Sequence, residues 1–512
     1  VKESHDRLTA ASRRRRRTAR TALAACLAVA GLTTAFAAAQ APKPAPAAAT
    51  PAQPAVVTRP IAIVGATLID GTGAEAVPDA VVVMENGKFV AAGPRAKVTI
   101  PAGAQEIDGK GKFVIPGLMD ANVHLVLGSA IEFIVRYEGH YEDLIEEAAQ
   151  VTLKNGLTTV FDSWGPLQPL MNVRDKIRRG DATGSRMFVA GNIVGFGGPF
   201  SRDFNSAAES TASKALVARI NPIWEENVGR TLPYMTPAQL RVEIRKYVGR
   251  GIDFLKYAVS GHQLTNMLEF SPEAQKVIVE ETHKAGLIVQ THTTNIESLR
   301  QGIEVGVDMM QHAASTGPVP IPESTIKLAL ERKTYLAVQP RTARRLDMEL
   351  KQAAERSPDS IQRFNEKVRS ENQIALIKAH VPLLLATDAG MTDPDLLEQM
   401  SPALKVDRLT ELGEGHFLWL QAMVEKGMTP MEAIVSATRN IAAAYHKLDQ
   451  FGTIEAGKLA DVVILDADPL QDINNVRKIS TVIKDGQVVD RGKLPLKKVL
   501  TAARDRHTSL EN

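Results

Sequence analysis

Short apolar runs separated by longer stretches of mixed polarity dominate the chain. Alternating runs at 61–64, 80–84 and 89–93, with Glu85, Asn86 and Gly87 between the last two, predict hairpins. A similar strand-rich block returns at 452–466 and 482–489, again with a glycine turn at Gly486. Two strand-rich blocks flanking a long middle predict one small β-sandwich domain completed from both chain ends, 58–113 plus 447–495.

The middle, 114–446, alternates apolar runs with helical patterning, which favours parallel βα units. Eight runs predict strands: 113–116, 157–161, 187–190, 254–258, 287–290, 309–311, 335–338 and 382–386. The expected class is therefore α/β, with a TIM-like (β/α)8 barrel as the main body. The segment 195–234 is long, aromatic-containing and marked by Gly and Pro, and reads as an insertion over one barrel mouth. In such barrels the chemistry stands at the C-terminal ends of the strands.

Composition changes this picture at the N-terminus. The whole chain carries 61 Lys+Arg against 58 Asp+Glu, but eight of the basic and two of the acidic groups lie within 1–39, leaving 53 against 56. The remainder is mildly acidic, so a nucleic-acid-binding face is not expected. Arg13 to Arg17 and Arg20, then an apolar run and small residues at Ala35, Ala37 and Ala39, match a signal peptide over 1–39. A Pro/Ala-rich linker follows over 40–57. The expectation is a periplasmic or secreted protein without a retained membrane span; Ser12, Arg13 and Arg14 also permit twin-arginine export. Cys26 is the single cysteine and lies in a lipobox-like context inside this leader. Without the leader no thiolate remains, so a metal site has to be built from His, carboxylate and Lys.

Residues of those types stand where strands end. Asn122 and His124 follow the first run, Lys256 lies on the fourth, His292 and His312 follow the fifth and sixth, and Asp388 follows the eighth. Asn122 and His124 alternate on one strand and so share a face. Neutral imidazoles with a carboxylate suit Zn²⁺ or a similar divalent ion. An ammonium would repel such ions, but a Lys256 amine that has added CO2 becomes a carbamate (N6-carboxylysine) able to bridge two of them. Asp388 would then bind metal and take a proton from the attacking water. His140, Trp164, Tyr257 and His262 fall near strand ends as candidates to line the pocket. Tyr257, next to Lys256, should face the other way, against a helix. No Arg stands where it would obviously bind a substrate carboxylate. No phosphate-binding or dinucleotide-binding glycine loop is present.

From Ile61 to Asp490 the chain resembles the amidohydrolase superfamily, in its imidazolonepropionase-like and Xaa-Pro-dipeptidase-like branch with a carboxylated lysine. The resemblance implies His124, Lys256, His292 and His312 as metal ligands, Lys256 as the bridging group, and Asp388 as ligand and proton shuttle. It also implies hydrolysis of an amide-type C–N bond in a dipeptide, N-acyl amino acid or urea-like substrate by metal-activated hydroxide. One position departs: the family has His-x-His where this chain has Asn122 and His124. The sequence leaves open an amide-oxygen ligand in a two-metal site, one tightly bound metal, or a non-catalytic exported binding protein on the same scaffold. An Asn-x-His variant also resembles a subgroup acting on aryl ureas. Lactonase activity is a further superfamily alternative. A deaminase is disfavoured, because the residue three after His292 is Asn295 rather than Glu. Oligomeric state is not legible.

Overall fold

In the computed structural model, residues 59–126, 131–204, 206–356, 361–399 and 405–500 are described. The expected leader over 1–39, Cys26 and the linker over 40–57 lie outside them. Two strand systems, one largely antiparallel and one parallel, organise these residues into mixed α/β structure.

The first system draws on both blocks. Ile61–Leu68, Val77–Glu85, Lys88–Pro94, Gln105–Asp108 and Phe113–Pro116 join Val462–Leu465, Ile479–Lys484 and Gln487–Val488 in one eight-stranded sheet. The turn expected at Asn86 and Gly87 is there, both residues at positive φ (51° and 77°), as a two-residue hairpin between right-twisted strands requires. Ile61 and Ile63 from the first block share a core with Val462 and Ile464 from the second. The two blocks thus share one core, and their hydrogen bonding is that of a single branched sheet.

The strand Phe113–Pro116 corrects the sequence reading. It was expected to open the parallel series, but it pairs with Ile61–Leu68 and Val462–Leu465 in the first system. The parallel series opens instead with Leu118–His124. Gly117 separates the two strands, and a Cβ there would stand 2.2 Å from Thr158 Oγ1. The chain can pass so close to its neighbour only without a side chain.

Parallel strands form two sheets. One runs Ala389–Gly390, Leu118–His124, Leu157–Asp162, Arg186–Val189; the other runs Ile193–Val194, Leu255–Ala258, Val289–His292, Met309–Gln311, Tyr335–Val338, Leu383–Leu385. Most are buried along their whole length, which is why they appear in the sequence as unbroken apolar runs rather than alternations. Hydrogen bonds cross from one sheet to the other's ends. Asp388 N donates to Asn122 O (2.8 Å), and Asp253 N donates to Val189 O (2.9 Å). The insertion over 195–234 carries the helices Ser206–Thr211 and Lys214–Glu225. Among the described residues no helix is long and apolar enough to cross a membrane.

Candidate active site

Leu118–His124 is buried throughout, and three polar side chains on its alternate positions share one face. Asp120 is the first of the three. It accepts hydrogen bonds from Thr387 Oγ1 (2.6 Å), Thr387 N (3.2 Å) and Asn122 N (3.1 Å), tying the first strand to the segment carrying Asp388. Burial pushes its carboxyl up to about 7. Asn122 donates through Nδ2 to Asp388 Oδ1 (2.9 Å), and His124 Nε2 meets the same oxygen at 2.9 Å.

Lys256 reaches into this group from the fourth strand, its Nζ 3.5 Å from Asn122 Oδ1. The residue is 1% exposed. Burial pushes the amine down to about 8, although Asp388 and Asp162 act in the other direction. The strand pairing sets Ala258 level with His292, and His292 level with Gln311. The rings of His292 and His312 stand 4.5 Å apart, edge to face. Burial pushes His312 down to about 4, and burial with His312 and His262 nearby holds His292 well below the usual imidazole range. For Asp388 burial acts upward, but His312, His124 and Lys256 outweigh it and hold the carboxyl well below the usual carboxylate range. The result is neutral His292 and His312 rings beside an ionised carboxylate, the protonation states in which these groups bind cations.

Backbone conformation contributes to the convergence. Gln311 already points inward, donating from Nε2 to Ala121 O (3.3 Å), so regular alternation would turn His312 away. His312 has φ +58° and Asp388 φ +59°, left-handed turns that break the alternation at the two strand ends. Non-glycine residues take this region uncommonly, His and Asp more readily than most, and here it re-aims both side chains into the site. Below the ligand layer, Gln290 Nε2 donates to Tyr445 Oη (3.0 Å), which donates to Ala121 O (2.8 Å), making a polar floor.

Aromatic side chains border one side. Trp164 stands edge-on to His124 (6.0 Å) and stacks on Phe204 of the insertion at 3.9 Å. Phe204 lies 5.4 Å from the His262 ring, which lies 5.3 Å from His292. Of the four candidate lining residues, Trp164 and His262 are therefore at the site. Tyr257 faces away as expected, donating to Gln275 Oε1 (3.1 Å) on the helix Pro272–Lys284. His140 is a correction: it stands exposed at the N-cap of the helix Tyr141–Lys154 and pairs with Asp143 (3.4 Å). Asp120, Phe204 and Gln339, whose Oε1 lies 2.7 Å from His312 Nδ1, were not singled out from the sequence. Only the inward alternation of Asp120 with Asn122 and His124 could have flagged one of them.

Among the described residues no three His, Asp or Glu side chains by themselves form a group that could hold an ion. The donor set fits one once Lys256 and Asn122 are counted. His124 Nδ1 and His292 Nε2 are buried without a hydrogen-bond partner. An unpartnered buried polar atom costs about 1–3 kcal/mol, a penalty that coordination would remove.

The Amidohydrolase family matches residues 113–489. The solved structure of a molinate hydrolase is 43% identical, with TM-score 0.82, covering 87% of this chain and 97% of its own. Phenylurea hydrolase B is 38% identical, with TM-score 0.81, covering 86% and 99%. The ochratoxinase of Aspergillus niger is 28% identical over 46% of this chain, a match spanning 45% of that protein's length. An imidazolonepropionase from Geobacillus kaustophilus (24% identical over 79% of this chain) and a Xaa-Pro dipeptidase structure of the same fold (22% identical, TM-score 0.64) represent the branch that the motifs resembled. With a family match over most of its length and two solved relatives above 30% identity, the chain belongs to the Amidohydrolase family.

Proposed function

We propose that this protein is an exported, metal-dependent hydrolase of amide-type C–N bonds whose preferred substrates are neutral ureas or amides with an aromatic substituent. On this reading the two parallel sheets are one closed (β/α)8 barrel over 114–446, apart from the strand Phe113–Pro116. The composite β-domain is 58–113 plus 447–495, and the leader over 1–39 directs export to the periplasm or beyond. The observation that carries the reading is the buried Lys256 amine, 3.5 Å from Asn122 Oδ1, among His124, His292, His312 and Asp388.

Asn122, His124, Lys256, His292, His312 and Asp388 would hold one or two divalent ions, zinc first among them. A bound ion supplies Lewis acidity toward a substrate carbonyl and lowers the pKa of a water. Burial, which lowers the Lys256 amine to about 8, raises the share present as free amine, the form that adds CO2. The nitrogen–carbon bond forms as one proton leaves the free amine, and a neutral ligand position becomes anionic. Asp388 accepts the proton of the attacking water and returns it to the leaving nitrogen. Its orientation for this is set by Asn122 Nδ2 and His124 Nε2, both 2.9 Å from Oδ1.

The choice of a neutral aromatic substrate over a dipeptide or N-acyl amino acid is supported by the border of the site. Trp164 and Phe204 offer a stacked aromatic wall rather than the fixed guanidinium a substrate carboxylate would call for. The two most similar structures described above are named for hydrolysis of molinate and phenylurea. The test is a panel of phenylureas, Xaa-Pro dipeptides, N-acyl amino acids and lactones offered to the metal-loaded protein. Amine release from phenylureas, abolished by chelation, is expected. Preferential turnover of the dipeptides or acyl amino acids would overturn the substrate assignment, and no turnover of any compound would favour the binding-protein alternative.

A further inference from the structure

One partner of the site belongs to none of the roles assigned so far. Gln339 follows the strand Tyr335–Val338, and its side chain ends on His312, Oε1 at 2.7 Å from Nδ1. Its amide nitrogen, Nε2, is buried and has no hydrogen-bond partner. The residue itself is fixed in place, because Gln373 Nε2 on the helix Ile361–Lys378 donates to the Gln339 backbone carbonyl (3.1 Å).

We propose that Gln339 is a positioning residue for His312. Its amide oxygen holds the ring with the proton on Nδ1, and its NH2 group is left as a free donor beside that ring for a hydrogen-bond acceptor on the substrate. The inference rests on the hydrolase reading of the site for its substrate half, and on the geometry of this pair for the rest.

The chemistry follows from the two faces of a primary amide. With Oε1 toward Nδ1, the ring must donate, so its other nitrogen, Nε2, keeps a lone pair free for a cation. With the amide turned over, its NH2 would donate to Nδ1 and force the ring proton onto Nε2, which abolishes His312 as a ligand through that atom. Oε1 and Nε2 share one carbon, so fixing the oxygen against His312 also fixes the NH2 group close by. The unpartnered donor is then the consequence of the lock. A buried donor left without a partner is costly, and a substrate carbonyl or heteroatom at this place would satisfy it.

Two variants separate the halves. Gln339→Glu keeps an acceptor toward Nδ1 and removes the donor; Gln339→Met removes both. Nitrogen-15 spectra of metal-free protein labelled at histidine, with the His312 signals identified by their loss in His312→Asn, report the tautomer directly. The proton is expected on Nδ1 in the wild type and Gln339→Glu, and distributed over both nitrogens in Gln339→Met. Zinc affinity measured by chelator competition should fall about 10–100-fold in Gln339→Met and stay near wild type in Gln339→Glu. With phenylurea as substrate, Gln339→Glu should raise KM about 3–10-fold with kcat little changed. An unchanged tautomer and zinc affinity in Gln339→Met would overturn the positioning role. A wild-type KM in Gln339→Glu would overturn the donor role. A wild-type protein that turns over no compound counts against the hydrolase reading instead, and the tautomer spectra then decide on Gln339 by themselves.

Discussion

Replacing Asp388 by Asn separates catalysis from architecture more cleanly than any other change at the site. The substitution keeps the shape of the side chain and one of its oxygens. The amide oxygen can still accept from Asn122 Nδ2 and from His124 Nε2, the two 2.9 Å partners of Oδ1. What is lost is the negative charge. Hydrogen bonds to a charged group contribute about 1 kcal/mol more than neutral ones, so the two contacts together lose about 2 kcal/mol at most. The carboxylate is 30% exposed toward the cavity, which reduces that figure further. As a proton acceptor, by contrast, an amide is useless at neutral pH. Loss of a positioned general base costs about 10²–10⁴ in rate, or about 3–5 kcal/mol of barrier at 1.36 kcal/mol per decade. The expected outcome is therefore a kcat down by two to four decades with a nearly unchanged melting temperature. Metal content, read by inductively coupled plasma mass spectrometry, should stay within a few-fold of wild type. The assay is steady-state release of aniline from a phenylurea by metal-loaded protein. A kcat within tenfold of wild type at full metal occupancy would refute the assignment of Asp388 as the proton shuttle.

Further outcomes concern metal binding, stability and pH. Asn122→His restores the imidazole that the family pattern has at this place, and should slow zinc loss to a chelator, because imidazole is the better zinc ligand; faster loss would remove Asn122 from the ligand set. Arg186 bonds Asp461 (2.5 Å) and Asp485, donates to Thr159 Oγ1 (2.9 Å) and lies over the Phe451 ring, joining the strand Arg186–Val189 to the C-terminal block. Arg186→Ala strands the buried Asp461 carboxylate and should cost about 3 kcal/mol in urea unfolding, mostly through that arm, since the Asp485 side chain is 41% exposed and screened. Glu281 is held down to about 2 by Arg245, Lys284 and Arg241. With a depressed carboxyl the unfolded chain binds the proton first on acidification, so this contribution is present above about pH 4.5 and is lost as pH falls toward 2. The melting-temperature gap between wild type and Glu281→Gln should accordingly narrow below about pH 4.5 and close near about pH 2, as differential scanning fluorimetry across that range would reveal.

Much of the site was legible in the sequence because its information is local. Alternation along a single strand put Asn122 and His124 on one face, and buried parallel strands announced themselves as apolar runs, with 309–311 and 335–338 matching the observed strands residue for residue. Tyr257 was expected on the outer face from its adjacency to Lys256, and its hydrogen bond to Gln275 agrees. These inferences need only the two-residue repeat of a strand and the cost of exposing apolar surface.

What the tertiary structure alone decided depends on which distant edges and side chains meet. Phe113–Pro116 has the composition of any buried strand, and its membership in the small sheet follows from the free edges of Ile61–Leu68 and Val462–Leu465, the latter some 350 residues later in the chain. His312 and Asp388 turn inward through left-handed backbone, which His and Asp adopt more readily than most residues, but their many other occurrences in the chain do not single out these two positions. Phe204 stacks on Trp164, and Gln339 meets His312, only because an insertion and a neighbouring strand end are folded back over the same mouth. His140 shows the converse: a residue of the right type near a strand end in sequence, whose loop carries it to the surface. Local pattern sets which elements form and which way their side chains alternate. The pairing of free strand edges and the closing of loops are global choices, and they determine which of those side chains share a cavity.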